Sequence, residues 1–207
     1  MRGEIMTTIA ELPPGFADKV LSAQSTFRSV MDAMARPGSV QRIVPTAGAP
    51  DTMMRGTAAI ALTLFDHDTP LWLDARMAQN SDVVKWLNFH TGAPVVQDTS
   101  IATFALISDG AALPPLERFA LGTNEYPDRS TTLILQVDSL GSGRSFELRG
   151  PGIDGVATLQ ASVKPFDLFD RLRFNEPLFP RGLDVVLVAD DAVVAIPRTT
   201  RIVSKGS

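Results

Sequence analysis

The stretch FPRGLDVVLVADDAVVAIPRTTR, Phe179 to Arg201, decides how the rest of the chain is read. Val185 to Val188 is a β-branched-rich apolar run, too short for a free-standing helix. Pro180 and Gly182 punctuate its start and Asp190-Asp191 its end; a second run, Val193 to Ile196, stops at Pro197. Two such runs around a tight polar break predict neighbouring strands of one sheet. The first run has no polar alternation, so both its faces are expected to be covered, as in a strand sandwiched between helices.

Outward from that pair, the chain reads as α/β. Phe16, Val20, Ala23, Phe27, Val30, Met31 and Met34 recur at steps of three and four, which predicts an amphipathic helix ended by Pro37-Gly38. Ser39 to Val44 reads as a short strand, and Ala58 to Phe65 as a helix. Leu71 to Leu73 reads as a buried strand. Ser81 is the expected N-cap of a helix that Gly92 stops. Ile101 to Ile107, Thr131 to Val137, Ser145 to Leu148 and Val156 to Leu159 are further strand candidates, and Phe166 to Phe174 is a helix candidate. Pro114-Pro115 opens a short helix or turn, and Gly122 to Ser130 is a polar loop. Irregular alternation of helices and strands favours a mixed sheet flanked by helices. We expect a leader over 1–15, one domain over 16–201 and a tail over 202–207.

Composition removes several chemistries. With 207 residues, 44% of them apolar, the chain is long enough to fold around its own core. A net charge of −4 argues against nucleic acid as a main partner. There is no cysteine, so this chain offers no disulfide, thiolate nucleophile or cysteine-ligated cluster, and its two histidines cannot make a three-histidine metal site. No apolar run is long enough to span a bilayer, and the first ten residues lack the apolar core of a signal peptide. The expected compartment is the cytoplasm.

No local pattern names an active site. Asp66-His67-Asp68-Thr69 is a general-base or metal-ligand candidate, but it reads first as a loop between helix and strand. His90 is a substrate donor or, more simply, a helix-end cap. Arg28, Arg36, Arg149, Arg181, Arg198 and Arg201 are the better anion candidates, with Pro197 to Arg201 the most suggestive segment. The glycine turns at Gly141 to Gly143 and Gly150 to Gly152 belong to no phosphate-loop fingerprint. Lys164 alone among the four lysines has the small-residue context an imine-forming lysine needs, and nothing else in the sequence partners it.

Six segments in order carry a resemblance: FRSVMDAMARPG (27–38), LTLFDHDTPLWL (62–73), FHTGAP (89–94), TTLILQVDSL (131–140), LRGPGI (148–153) and FPRGLDVVLVADDAVVAIPRTT (179–200). Together they resemble the PhnH family, a component of the carbon–phosphorus lyase core complex. The resemblance implies a fold similar to the large domain of fold-type-I pyridoxal-phosphate transferases, without the cofactor lysine. It implies a homodimer that joins subunits G, I and J, with L associated. That machinery takes an alkylphosphonate and ATP as co-substrate, releases adenine and yields a ribose 1-alkylphosphonate 5-triphosphate.

The resemblance implies no catalytic residue, no metal and no cofactor on this chain. Arg28, Asp66, His67, Asp68, Thr69, His90, Arg198, Thr199 and Arg201 therefore stand as ligand or interface candidates. The reading is a non-catalytic assembly subunit, with a contiguous exposed apolar patch expected at a subunit contact. The alternative is a self-sufficient α/β small-molecule or nucleotide-binding enzyme, its pocket at the carboxyl ends of strands near Asp66 to Thr69 and Arg198.

Overall fold

The computed structural model describes residues 12–164 and 167–204. The two runs that opened the sequence reading form a hairpin: β8 (Asp184–Ala189) and β9 (Ala192–Ile196) pair antiparallel, with Val186 opposite Ala195. Along β8, Val186 and Val188 point into one core and Val185 and Leu187 into another. Alternate side chains of a strand face opposite ways, so a strand covered on both faces must be apolar throughout.

β8 and β9 lie within a seven-stranded sheet of order β1-β9-β8-β5-β4-β2-β3. Its other strands are β1 (Gln41–Arg42), β2 (Leu71–Leu73), β3 (Val95–Val96), β4 (Phe104–Ile107) and β5 (Thr132–Gln136). β3, β2, β4, β5 and β8 run parallel; β9 runs against them, and the edge strand β1 pairs antiparallel with β9, so the sheet is mixed.

One face carries helices: α1 (Lys19–Ala35), α2 (Arg55–Leu64), the short α3 (Ala75–Gln79) and α4 (Ser81–Thr91). Helices were expected on the other face too. It is covered instead by a three-stranded antiparallel sheet of β10 (Arg201–Ser204), β6 (Ser139–Arg149) and β7 (Ala157–Ser162), together with α5 (Leu168–Leu172). Phe146 of β6 stacks on Phe169 of α5, ring centroids 3.7 Å apart, within this second core.

Several expectations shift. Gly141 to Gly143 is not a turn before a strand but part of β6, where the pairing register slips between Leu140 and Arg144. Glycine inside a strand marks such irregularities. Residues 202–204 of the expected tail belong to β10, while 205–207 and residue 166, the expected helix start, lie outside the described residues. Residues 1–11 of the expected leader also lie outside them. Pro13 to Gly15 is not loose: the Pro14 and Gly15 carbonyls accept from the backbone N–H groups of Gly48 and Ala47.

The N-cap of α4 is Asn80, one residue before the expected Ser81; its side chain accepts from the Asp82 N–H. Gly92 ends that helix at φ +71°, in the left-handed region only glycine enters cheaply. Gly56 lets α2 start against the β8–β9 turn, where a Cβ would stand 2.1 Å from the Asp190 carbonyl oxygen.

The largest correction concerns α1. Its regular apolar spacing does not mark the buried face. Thr26, Val30 and Ala33 are buried against the sheet, and Phe16 and Met34 are partly covered. Val20, Phe27 and Met31 are 65%, 48% and 49% exposed. At 100° per residue these three fall within a narrow arc, so they form an outward stripe. Val40 and Val44, on either side of edge strand β1, are exposed as well.

Candidate functional site

In an open α/β sheet a ligand crevice forms at the carboxyl ends of parallel strands, where neighbouring connections leave in opposite directions. Here the chain leaves β2 toward β3 on one side, and leaves β4 toward β5 on the other. The residues just past β2 and β4 therefore meet at such a point.

Asp74, directly after β2, is fully buried and organises it. One carboxylate oxygen accepts from the Met77 N–H at 2.8 Å and caps α3. The other accepts from the Ser108 N–H at 2.6 Å, the Ser108 hydroxyl at 2.7 Å and the Asp109 N–H at 3.3 Å. A buried carboxylate is tolerable when its oxygens are hydrogen-bonded in this way. Sequence reading stopped the strand at Leu73 and passed over Asp74. The available signal was an Asp directly before the helix-forming Ala75-Arg76-Met77-Ala78.

Over Ser108 and Asp109, which Asp74 holds from beneath, lies a polar crevice of about 200 Å³ lined also by Arg76, Gln136, Asp138 and Lys164. It opens into a broader depression reaching the 48–55 loop and Asp190. Gln136, the last residue of β5, holds that loop down: its amide donates to the Thr52 carbonyl at 3.0 Å and accepts from the Met54 N–H at 2.7 Å.

Lys164 ion-pairs with Asp138 at 3.0 Å and is more than half exposed. The hydrogen bond to Asp138, and then that carboxylate's charge, hold its ammonium above the usual lysine range. An imine-forming lysine needs the opposite shift, produced by desolvation. No His lines the crevice, and the Ser108 hydroxyl donates straight to Asp74, so it carries no serine–histidine relay. Among the described residues no group of His, Asp and Glu is placed to hold a metal ion.

The candidates read from sequence lie elsewhere and do not converge. Asp66 to Thr69 is a self-contained turn before β2: the Asp68 N–H donates to the Asp66 carboxylate, and Thr69 bonds Asp66 through its hydroxyl and N–H. His67 is 81% exposed and stands 3.4 Å from the Asp68 carboxylate. This turn lies at the amino ends of the parallel strands, not the carboxyl ends, because it precedes β2.

Arg198 is also at the amino end, because β9 runs back along β8 and delivers it beside Asp184. It is no free anion binder. Its guanidinium pairs bidentately with Asp184 and donates to the Pro127 carbonyl and the Ser130 hydroxyl, with both partners of the pair largely buried.

His90 packs on Trp86 at 4.6 Å and on Phe89 at 5.0 Å, with its Nε2 3.4 Å from the Pro13 carbonyl oxygen. Burial lowers its pKa below the ordinary value; the Pro13 contact acts the other way and the Lys19 charge adds to the lowering. Trp86 donates to the same carbonyl at 2.8 Å, so His90 belongs to the anchor of the 13–15 segment. Arg28 is exposed on α1 beside the outward stripe. Of these candidates, Arg198, Thr199 and Arg201 share a cavity with Arg149 and Gly150.

Fold and site thus define an α/β protein with a polar switch-point crevice, in which the described residues assemble no nucleophile, base or metal set. A family profile described as bacterial phosphonate metabolism protein (PhnH) matches residues 14–203, and the chain belongs to that family. It is 44% identical over 198 residues to the alpha-D-ribose 1-methylphosphonate 5-triphosphate synthase subunit PhnH of Rhizobium meliloti (strain 1021), covering 95% of this chain and 98% of that one. A protein of Stutzerimonas stutzeri named for a C-P lyase subunit, HtxG, is 31% identical over 205 residues, 97% of each chain.

Proposed function

We propose that the chain is a non-catalytic subunit of the carbon–phosphorus lyase core complex, needed to convert an alkylphosphonate and ATP into a ribose 1-alkylphosphonate 5-triphosphate with release of adenine. The observation that carries the assembly role is the outward stripe of Val20, Phe27 and Met31 on α1. An amphipathic helix that turns apolar side chains to water is an unfilled contact. The partners we assign are a second copy of the chain and subunits G, I and J, with L associated, in the cytoplasm. The mixed sheet supports descent from the large domain of a pyridoxal-phosphate transferase, and the exposed, ion-paired Lys164 fits a scaffold that has given up imine chemistry.

The test is adenine release by the reconstituted complex from methylphosphonate and ATP, with and without this chain. Loss of activity on omission, together with no turnover by the chain alone, supports the reading; full activity without it refutes the reading. The crevice over Ser108 and Asp109 favours a second reading, a self-sufficient α/β binding protein or enzyme. Turnover by the isolated chain would select that one.

A further inference from the structure

Arg149 and Arg201 are direct partners across the antiparallel β6–β10 pair. Side chains in that relation stand about 5 Å apart at Cβ, and like charges so placed are destabilising. Both are exposed, and among the described residues neither makes an ion pair or a hydrogen bond through its side chain. Arg198, their neighbour, is neutralised by Asp184. The sheet therefore holds two cations face to face with no anion between them.

They form one wall of a cavity of about 370 Å³ that also includes Gly150, Glu176, Phe179 and Thr200. Thr200 is 6% exposed and its hydroxyl has no hydrogen-bond partner. Phe179 is 70% exposed, a ring face turned to water at the same cavity. The wall that carries Glu176 and Phe179 is held in place from behind, since Asn175 exchanges two hydrogen bonds with the Leu183 backbone at 2.8 and 2.9 Å. Glu176 is the one acidic side chain lining the cavity, so two arginines outnumber it.

We propose that this cavity is an oxyanion site for a phosphate or phosphonate group, clamped by Arg149 and Arg201, with Phe179 stacking on any ring attached to it. Two guanidinium forks match the geometry of a tetrahedral dianion, and a dianion turns the repulsion between them into a bridge. A protein surface also uses Arg and Phe, but it does not account for two arginines paired across strands in one concave site with no ion pair to either among the described residues. The proposal holds whether the chain acts alone or in a complex.

The test is titration of the full chain with inorganic phosphate, methylphosphonate and AMP at low ionic strength, followed by calorimetry and thermal shift. Binding of at least one is expected, weakened by about tenfold or more in the Arg149→Gln/Arg201→Gln variant and weakened by added salt. Phe179→Ala should lower affinity for AMP and leave phosphate unchanged. Without ligand, the double variant should melt no lower than the parent, since it removes a repulsion. Tighter methylphosphonate binding assigns the site to phosphonates, and tighter AMP binding to nucleotide phosphate. No binding by the parent, or undiminished binding by the double variant, overturns the proposal. Failure of the double variant to join other subunits, with no ligand bound by the parent, makes the cavity a protein contact.

Discussion

Asp184 and Arg198 face each other at the start of β8 as a bidentate, largely buried pair, with the Arg198 N–H donating to the same carboxylate at 2.8 Å. The pair closes the end of the β8–β9 hairpin opposite its turn and, through Pro127 and Ser130, ties on the loop before β5. Arg198→Met leaves the carboxylate buried without its counter-ion and should cost about 3–5 kcal/mol in urea unfolding. Asp184→Leu/Arg198→Met should recover much of that loss. A single-variant cost below about 1 kcal/mol, the range of exposed pairs, would mean the pair is solvated.

Asp74 answers four donors with two oxygens. Asp74→Ala removes the cap of α3 and strands the Ser108 and Asp109 N–H groups, for a cost of at least about 2 kcal/mol. The Ser108 amide should also exchange with deuterium faster than the β4 amides before it. Protection unchanged at Ser108 would remove the carboxylate from its organising role.

His90 makes stability depend on pH. Burial holds its folded pKa below the ordinary 6.5, so the unfolded chain takes up a proton first as pH falls. Stability supplied by the neutral ring above pH 6.5 is then lost progressively on acidification, down to the folded pKa. The melting temperature should therefore fall less in His90→Gln than in the parent between about pH 7.5 and 5.5. Equal falls would show that the imidazole is as well hydrated in the folded chain as in the unfolded one.

Phe27→Glu places a charge in the outward stripe of α1, where a surface change should alter folding stability by no more than about 0.5 kcal/mol. On the proposed assembly role, self-association, followed by light scattering, and co-purification with the subunits proposed as partners should weaken. Unchanged assembly together with an unchanged fold would move the contact off α1.

Gly56→Ala should destabilise by about 1–3 kcal/mol, because the added methyl meets the Asp190 carbonyl and the end of α2 must move away from the hairpin. A melting curve that does not shift would show that this approach can relax.

Strand positions were legible where composition left one choice. Val185 to Val188 and Leu133 to Leu135, at the heart of the Thr131 to Val137 candidate, are apolar because they are central and covered twice, and both strands were read correctly. The covering layers were not legible: a run buried on both faces says that something lies on each side, not whether it is helix or sheet. For the same reason β10 and the two-residue β3 escaped notice, since neither holds enough residues to show a period. On α1 the spacing was real but its direction was not encoded, because small residues such as Ala33 seat a helix on a sheet as well as large ones do. At the site, the conspicuous residues, the two histidines and the Asp66 to Thr69 cluster, read first as a loop and a helix end, and they serve a local turn and the anchor of the 13–15 segment. Asp74 and the Arg149–Arg201 juxtaposition depend on strand order and register, which no local window contains.

The indole of Trp86 donates to the carbonyl of Pro13, seventy-three positions back along the chain, while the only other tryptophan, Trp72, packs edge-on against Phe119. The molecule thus carries a built-in optical reporter of the segment around Pro13. In a Trp72→Phe background, emission from Trp86 reads out whether the segment at Pro13 is seated, so detachment of that segment during folding or assembly becomes visible without any added label.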